Sequence, residues 1–200
     1  MIEIRIHGRG GQGAVVASTL IAHAAHHAGY RVQVFPEFGV ERRGVPVTAF
    51  ARLDRAPILL RTRITAPDHV IVLDPALARH MPVTDGLRED GSIVINAPGP
   101  EGLDRYQDPW RLAWVDATSI AARHGIGTPT APIVNTTMVG AFAAATGLVR
   151  QEHLEKALRE VIPAAADRNL AAALEAFERA AILPSPVAGA LQSMFEAGAR

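Results

Sequence analysis

Residues 4–17 read Ile4-Arg5-Ile6-His7-Gly8-Arg9-Gly10-Gly11-Gln12-Gly13-Ala14-Val15-Val16-Ala17. The stretch begins as an apolar strand, passes through a glycine-rich turn and continues as a helix. Its glycines at positions 8, 10 and 13 match the G-x-G-x-x-G spacing. In that spacing the first glycine permits a tight turn, and the others let the backbone approach a phosphate and the helix approach the strand. The stretch therefore predicts an α/β fold that opens with an anion-binding turn.

The turn provides two kinds of donor for an anion. The exposed N–H groups and the positive dipole end of the following helix would face a phosphate, and the side chains of Arg9 and Gln12 can donate as well. The candidate binding residues of the turn are Gly8, Arg9, Gly10, Gly11, Gln12 and Gly13. The alternative interpretation is a tight turn that only lets the strand and the helix pack closely. The residues of the turn leave both interpretations open.

Composition restricts the class of protein. The chain has 200 residues, of which 48% are hydrophobic and 20% charged, so it can bury one sizeable core as a single domain. Twenty basic residues balance twenty acidic ones, which argues against binding to nucleic acid or to a membrane surface. Cysteine is absent, so the chain forms no disulfide and offers no thiolate for zinc or an iron–sulfur cluster. With no basic, apolar, cleavable leader and no apolar run approaching about 18 residues, we expect a cytoplasmic protein without a membrane span.

Strands and helices alternate along most of the chain. The pattern predicts strands over residues 2–6, 32–35, 69–73, 92–96 and 112–116, and helices over residues 11–28, 117–124, 135–146, 151–162 and 167–181. The helical crossover between the first two strands implies that they are parallel. Residues 45–53 and 58–64 read as a hairpin around a turn at residues 54–57. We therefore predict a Rossmann-like, mostly parallel sheet flanked by helices, with a β-hairpin insertion and a helical C-terminal portion. Residues 1–182 form the α/β domain and residues 183–200 an extension, either a short helix or a tail.

A loop rich in Pro and Gly follows the second strand and reads Phe35-Pro36-Glu37-Phe38-Gly39-Val40-Glu41-Arg42-Arg43-Gly44. In open α/β sheets ligands bind at the carboxyl ends of the strands, so this loop is expected beside the glycine turn. The guanidinium groups of Arg42 and Arg43 can bind a phosphate or a carboxylate with two hydrogen bonds each. Alternatively, they pair with Glu37 and Glu41 or contact another subunit.

Other polar residues have simpler explanations. Asn135 precedes a helix, where it can donate to a ligand or cap the free N–H groups. Each of the residues Asp74, Asn96 and Asp116 ends a predicted strand, where capping of the next turn explains an Asp or Asn, so we assign no catalytic residue. A metal site would use the i, i+4 pair His23 and His27, but no acidic third ligand is evident in the sequence, and we predict a solvated helix face instead.

Four separated stretches together resemble the gamma subunit of the 2-oxoacid:acceptor oxidoreductases, the family of the pyruvate- and ketoisovalerate:ferredoxin enzymes. They are His7-Gly8-Arg9-Gly10-Gly11-Gln12-Gly13-Ala14, the loop from Phe35 to Gly44, the strand ending at Asp74-Pro75, and Asn135-Thr136-Thr137-Met138-Val139-Gly140-Ala141-Phe142. The resemblance extends in order over roughly residues 2–181. It does not cover the chain after residue 183.

The resemblance implies a reaction and a set of partners. Such enzymes convert a 2-oxoacid and coenzyme A (CoA) into acyl-CoA and CO₂, passing electrons through iron–sulfur clusters to ferredoxin, or to NAD through a flavin-bearing subunit. Thiamine diphosphate, with Mg²⁺, belongs to the alpha and beta subunits, and the clusters belong to beta and a ferredoxin-like delta subunit. The gamma-type domain is then expected to help bind CoA and to complete the assembly, without a complete active site and without a cofactor bound wholly by itself. The absence of cysteine agrees with this division.

Two alternatives belong to other classes of protein. A free-standing nucleotide-binding oxidoreductase would need an acidic residue about 20 residues after the glycine turn to hold the ribose. Here the second strand ends at Phe35-Pro36 and Glu37 comes late, which argues against NAD. A purely structural subunit would pack its glycine turn against a neighbour. The residues do not select among pyruvate, branched-chain, 2-oxoglutarate and aryl glyoxylate substrates.

Overall fold

A central β-sheet organises the chain, for which the computed structural model describes residues 1–37 and 44–186. The strands are β1 Ile2–Arg9, β2 Arg31–Glu37, β3 Pro46–Asp54, β4 His69–Val72, β5 Ser92–Asn96, β6 Arg111–Val115, β7 Gly127–Thr128, β8 Ala131–Pro132 and β9 Ala181–Leu183. The helices are α1 Ala14–His27, α2 Pro75–His80, α3 Ala117–Arg123, α4 Asn135–Thr146, α5 Gln151–Val161 and α6 Ala166–Arg179, with 3₁₀ turns at Asp104–Tyr106 and Pro163–Ala165.

Seven strands form the main sheet in the order β2-β3-β1-β4-β5-β6-β9. The neighbours β1, β4, β5 and β6 are parallel, whereas β3 is antiparallel to both β1 and β2, and β9 is antiparallel to β6. Strands β7 and β8 form a separate small hairpin. The predicted α/β class with a mostly parallel sheet flanked by helices is confirmed. The carboxyl ends of the four parallel strands lie along one edge of the sheet, where such folds bind ligands.

Apolar side chains cover both faces of the sheet. Ile71 and Val94 face the larger core, which α1, α3 and α4 complete, while Val70 and Ile93 face a smaller core under α2. The central strands therefore need apolar residues at nearly every position, as the continuous runs in the sequence indicated.

The position of β3 corrects the predicted hairpin. Residues 58–64 form no strand in the described chain, and the hairpin consists of β2 and β3 instead. Because β3 pairs with β1 on one side and β2 on the other, neither of its edges is free for another strand. The segment after β3 crosses a face of the sheet, where the Thr62 carbonyl oxygen accepts a hydrogen bond from Nη2 of the buried Arg52. The strands β1 and β2 are parallel as predicted, but β3 separates them.

Helix α4 lies at the centre of the helical layer. Ten of its twelve residues are buried, because it packs against the sheet on one side and α6 on the other. Gly140 permits this approach, since a β-carbon there would lie 2.0 Å from the Ala173 carbonyl oxygen of α6. The helices predicted for this region are confirmed with shifts of one or two residues at their ends.

The last described strand, β9, lies against β6, with Leu183 opposite Leu112 and Ala181 opposite Trp114. The predicted division of the chain at residues 182 and 183 falls inside this strand, and the division stays a prediction. The rest of the predicted extension, residues 187–200, lies outside the described residues. None of the helices in residues 1–37 and 44–186 combines the length and apolar character that crossing a membrane requires.

Candidate functional site

The glycine turn begins later than the sequence indicated, because β1 continues to Arg9. Gly8 therefore lies inside the strand, where a β-carbon would be 3.1 Å from Leu73 Cδ1 and 3.3 Å from Ala14 Cβ. Its small size lets the strand approach both helix α1 and the end of β4. Gly11 and Gly13 adopt φ values of 96° and 81°, a backbone region that strongly favours glycine. The three glycines thus serve close packing at the strand and chain reversal in the turn.

The start of β3 holds the turn from one side. The Gly10 N–H donates to the Val45 carbonyl oxygen at 2.9 Å, and the Gly44 N–H donates to the Gly10 carbonyl oxygen at 3.1 Å. These bonds continue the pairing of β1 with β3 beyond Arg9, which lies opposite Pro46. The turn and residue 44 consequently form one unit.

Asp74 holds the turn from the other side. Its Oδ2 accepts a hydrogen bond from Arg9 Nε at 2.9 Å and another from Gln12 Nε2 at 3.0 Å. Its Oδ1 accepts from the Ala76 N–H at 2.8 Å, which caps α2. Gln12 Oε1 in turn accepts from the Arg9 N–H at 2.7 Å. The two predicted side-chain donors of the turn are therefore held by a residue that sequence reasoning had assigned only to capping.

The N-termini of two helices meet at the turn. Gly13 precedes α1, whose first turn has no side-chain cap, and a β-carbon on Gly13 would lie 2.4 Å from Asn135 Nδ2. Asn135 is the first residue of α4, and its Oδ1 accepts the Thr136 N–H at 2.7 Å. It thus satisfies one free N–H group of α4 from inside the helix, whereas the predicted N-cap position belongs to Val134, which makes no side-chain cap hydrogen bond. The positive ends of two helix dipoles lie together at this edge of the sheet.

A cleft of about 460 Å³ opens beside the turn; we call it the glycine-turn cleft. Arg9, Gly10, Gly11, Gln12 and Gly44 form its polar wall, and residues 127, 128 and 130–134 form the opposite wall. Leu73, Pro75, Asn96 and Thr118 line it between these walls, at the carboxyl ends of β4 and β5 and the start of α3. The cleft is within the size range of ligand sites in proteins.

The glycine-turn cleft brings together only part of the predicted site. Arg9, Gly10, Gly11 and Gln12 line it, whereas Gly8, Gly13 and Asn135 support the turn from behind. The predictions for Arg42 and Arg43 lie outside the described residues. Sequence reasoning missed the wall built by β7 and β8. The sequence indicated this wall only by a stretch with several Gly and Pro residues at 125–134, before α4.

Of the other two residues that end strands, Asp116 caps the next helix as expected, whereas Asn96 bonds to the end of the neighbouring strand instead of capping the next turn. Asp116 caps α3 by accepting the Ser119 N–H at 2.9 Å, and Asn96 Nδ2 donates to the Leu73 carbonyl oxygen at 2.9 Å. His23 and His27 each lie 2.9 Å from a carboxylate oxygen of Glu160 on α5, an acidic neighbour that the sequence did not reveal. Across residues 1–37 and 44–186, however, no group of three or more His, Cys, Asp or Glu side chains is arranged to hold a metal ion.

Comparison with known proteins places this fold and turn in a family. The model of the pyruvate ferredoxin/flavodoxin oxidoreductase family matches residues 3–180. The chain belongs to this family. Within the pyruvate ferredoxin/flavodoxin oxidoreductase family, the chain is 50% identical over 186 residues to the pyruvate/ketoisovalerate oxidoreductases common subunit gamma of Pyrococcus abyssi, covering 91% of this chain and 98% of the relative. The predicted family and gamma-subunit type are confirmed, and the chain is a subunit of an oxidoreductase.

Solved structures agree with this assignment. The pyruvate oxidoreductase subunit PORC of Thermotoga maritima superimposes with a TM-score of 0.74 at 34% identity, covering 90% of this chain and 97% of that one. A 2-oxoglutarate:ferredoxin oxidoreductase from Magnetococcus marinus, solved with 2-oxoglutarate, coenzyme A and succinyl-CoA, has a TM-score of 0.66 at 20% identity. That match covers 89% of this chain but 30% of the longer one, and it shows a shared fold.

Proposed function

We propose that this chain is the gamma subunit of a multisubunit enzyme that converts a 2-oxoacid and CoA into acyl-CoA and CO₂. Thiamine diphosphate with Mg²⁺ and iron–sulfur clusters on alpha, beta and delta-type subunits carry the carbon and electron chemistry, and ferredoxin or a flavin- and NAD-linked subunit accepts the electrons. This chain forms one wall of the CoA site and completes the assembly. The observation that supports this role is that Arg9 and the glycine turn leading into α1 line one cleft.

The polar wall of the cleft suits the phosphates of CoA. Backbone N–H groups at a helix N-terminus and a guanidinium group are the donors that proteins use for phosphate. Arg9 is one-third exposed, and its contacts with Asp74 and the Gly44 carbonyl oxygen use two of its five guanidinium hydrogens. Among the described residues the other three hydrogens have no partner, and we propose that they bind an anion at the mouth of the cleft.

The opposite wall suits the pantetheine arm of CoA. Ala131, Pro132, Ile133 and Val134 present a largely apolar surface, and Leu73 and Pro75 extend it toward the turn. A ligand with an anionic end and a long, weakly polar arm can thus contact both walls at once. The glycine-turn cleft accommodates part of such a ligand, and we propose that another subunit covers the rest.

The other cofactors do not fit the residues of this chain. Iron–sulfur clusters are held mainly by cysteine thiolates, and the chain contains no cysteine. The described residues also provide no cluster of acidic and histidine ligands for the Mg²⁺ of thiamine diphosphate. We therefore place both cofactors on the partner subunits and route no chemical step through this chain.

Binding of NAD by this chain is the weaker alternative. In a dinucleotide-binding unit the ribose is held by an acidic residue about 20 residues beyond the glycine turn, at the end of the second strand. Here the antiparallel β3 lies beside β1 and displaces β2, which carries Glu37, to the edge of the sheet. The topology thus separates Glu37 from the turn by one strand.

The test of the proposed function is the Arg9→Gln variant in the assembled enzyme. The complex is purified through another subunit, assayed with pyruvate, branched-chain 2-oxoacids, 2-oxoglutarate and an aryl glyoxylate, and then studied with the best of these. Loss of a charged hydrogen bond to phosphate is expected to raise the KM for CoA about tenfold or more, while the KM for the 2-oxoacid stays unchanged.

A matched control is Arg159→Gln, which removes an exposed arginine that pairs with Glu155 and Asp167 on the far helices. We expect wild-type kinetics from this variant. An intact complex in which Arg9→Gln leaves the KM for CoA unchanged would show that the turn packs against a neighbour and contacts no ligand. A chain that purifies alone and reduces NAD with a substrate would contradict the assembly itself.

A further inference from the structure

We infer that Asp74 is a positioning residue of the anion site, which holds Arg9 and Gln12 in the geometry that binds CoA. The inference rests on the proposed function of the glycine-turn cleft. It extends that function by assigning the orientation of both donors to one carboxylate, 65 positions away from Arg9 in sequence.

Asp74 acts through its neighbours rather than on the ligand. Leu73 and Pro75, on either side of it, line the glycine-turn cleft, whereas Asp74 is not among the lining residues. Its side chain is 14% exposed, and both carboxylate oxygens accept hydrogen bonds from the protein. A carboxylate facing a phosphate would be repulsive, so its placement behind Arg9 and Gln12 is the arrangement expected of a support.

The Asp74 carboxylate is one of three hydrogen-bond acceptors that fix the position of Arg9. The Arg9 N–H donates to Gln12 Oε1, Nε donates to Asp74 Oδ2, and Nη1 donates to the Gly44 carbonyl oxygen at 3.0 Å. Gln12 is fixed in the same way, since its oxygen accepts from Arg9 and its nitrogen donates to Asp74. Arginine side chains have many rotamers, and a side chain ordered before binding loses less entropy when the ligand arrives.

If Asp74 positions Arg9 and Gln12, removing its charge has the opposite effect on CoA binding from the one that electrostatics alone predicts. A negative charge next to Arg9 weakens the attraction of the site for an anion, so electrostatics alone predicts tighter CoA binding once the charge is removed. Positioning predicts weaker binding, because Arg9 and Gln12 lose their common acceptor. The direction of the change in KM therefore distinguishes the two.

The experiment measures steady-state kinetics of the Asp74→Asn variant in the assembled enzyme, with CoA varied at saturating 2-oxoacid. The Asn oxygen can still accept the Ala76 N–H and keep α2 capped, but its amide nitrogen replaces the acceptor of Arg9 and Gln12. We expect the KM for CoA to rise about fivefold. The kcat and the KM for the 2-oxoacid stay at wild-type values, which a general disturbance of the fold would not allow.

A double variant tests whether the effect of Asp74→Asn on the KM for CoA is exerted through Arg9. In an Arg9→Gln background, Asp74→Asn is expected to change the KM for CoA by less than about twofold, because contacting residues are not additive. Asp116→Asn is the matched control, since Asp116 caps α3 through its carboxylate but does not line the glycine-turn cleft. This control is expected to keep the wild-type KM for CoA.

Three results overturn the inference while leaving the proposed function intact. The first is a lower KM for CoA in Asp74→Asn, and the second is an unchanged KM in Asp74→Asn although Arg9→Gln raises it. The third is a double variant whose KM is raised by the product of the two single effects. An unchanged KM in Arg9→Gln itself refutes the proposed function, and the inference with it. Should Asp74→Asn fail to assemble, Asp74→Ser replaces it, because Ser also caps a helix but is too short to reach both donors.

Discussion

At the scale of single residues, Gly13 is constrained both by its backbone conformation and by a neighbouring side chain. Its φ of 81° disfavours any side chain, and a β-carbon would collide with Asn135 Nδ2 at 2.4 Å. We expect Gly13→Ala to lower the free energy of unfolding by about 2–3 kcal/mol, measured by urea unfolding of the purified chain.

The control for this prediction is Gly125→Ala. Gly125 also has a positive φ, of 63°, but a β-carbon there meets no atom within 4 Å. Gly125→Ala is expected to lower the free energy of unfolding by about 1 kcal/mol, because only the unfavourable backbone conformation contributes. Equal losses in the two variants would mean that contact between the turn and α4 contributes nothing to stability.

The buried His7 and the partly buried His69 make stability depend on pH. Burial lowers the pKa of both His7 and His69 to about 4, assisted by the positive charge of Arg5 near His7. In the unfolded chain a histidine takes up its proton near pH 6.5, so between pH 6.5 and 4 the unfolded state binds more protons. Stability is therefore expected to fall as the pH falls through this range, by at most about 1.4 kcal/mol per pH unit for each histidine.

The His69→Gln variant tests this dependence. Glutamine does not titrate and can still bond with Ser92, whose Oγ lies 2.8 Å from His69 Nδ1. The difference in unfolding free energy between pH 7 and pH 5 is expected to be smaller than in the wild type, and the remainder includes His7. A variant that keeps the whole wild-type difference would show that His69 takes up its proton in the folded protein.

Sequence reasoning found individual donors but not their partners. Arg9 and Gln12 follow from a local motif, whereas their acceptor Asp74 lies between β4 and α2, and its role depends on the pairing of β1 with β4. The same holds for Glu160, which α5 brings to His23 and His27. Contacts of this kind depend on tertiary structure, which a spacing of residues along one element does not contain.

At the scale of elements, the packing of α4 against α6 depends on Gly140. Alanine there gains about 1 kcal/mol of helix propensity, but its β-carbon would overlap the backbone of Ala173, so the two helices must separate. Overpacking of this kind costs about 3 kcal/mol. We expect Gly140→Ala to lower the free energy of unfolding by about 2 kcal/mol in urea.

Ala144→Gly in the same helix measures the propensity contribution separately, because Ala144 is only partly buried. This variant is expected to lose about 1 kcal/mol. Stabilisation by Gly140→Ala would show that α6 can move away from α4 without loss of contacts.

The elements themselves were largely predictable, and their order in the sheet was not. Apolar runs such as residues 69–73 and 92–96 identify buried parallel strands, and Asn135 marks the start of α4. The insertion of β3 between β1 and β2 reflects pairing between distant segments, which alternation of apolar residues does not specify. The run at residues 58–64 resembled a strand, but it pairs with no strand in the described chain, and its Leu59 is 85% exposed.

At the scale of the whole molecule, β9 tests where the domain ends. We propose an α/β domain over residues 1–182 and an extension over residues 183–200. A chain that ends at residue 186 retains β9, whereas one that ends at residue 180 loses its pairing with β6 and the packing of Leu183. We expect the first truncation to unfold at the wild-type urea concentration and the second to lose about 2 kcal/mol.

A third truncation, after residue 182, locates the boundary. If its stability equals that of the 186-residue chain, the proposed division is correct to the residue. Loss of stability would move the boundary to the end of β9.

The supports of the glycine turn also determine when during synthesis it can form. Arg9 bonds to Asp74, Gly10 bonds to residue 44, and Gly13 packs against Asn135 at the start of α4. Each contact can form only after the later residue has been synthesised. Contacts between residues far apart in sequence form slowly in folding. A ribosome-bound chain that has not yet reached α4 therefore carries the glycine motif without the residues that support it, so the proposed ligand site forms only after most of the chain has been made.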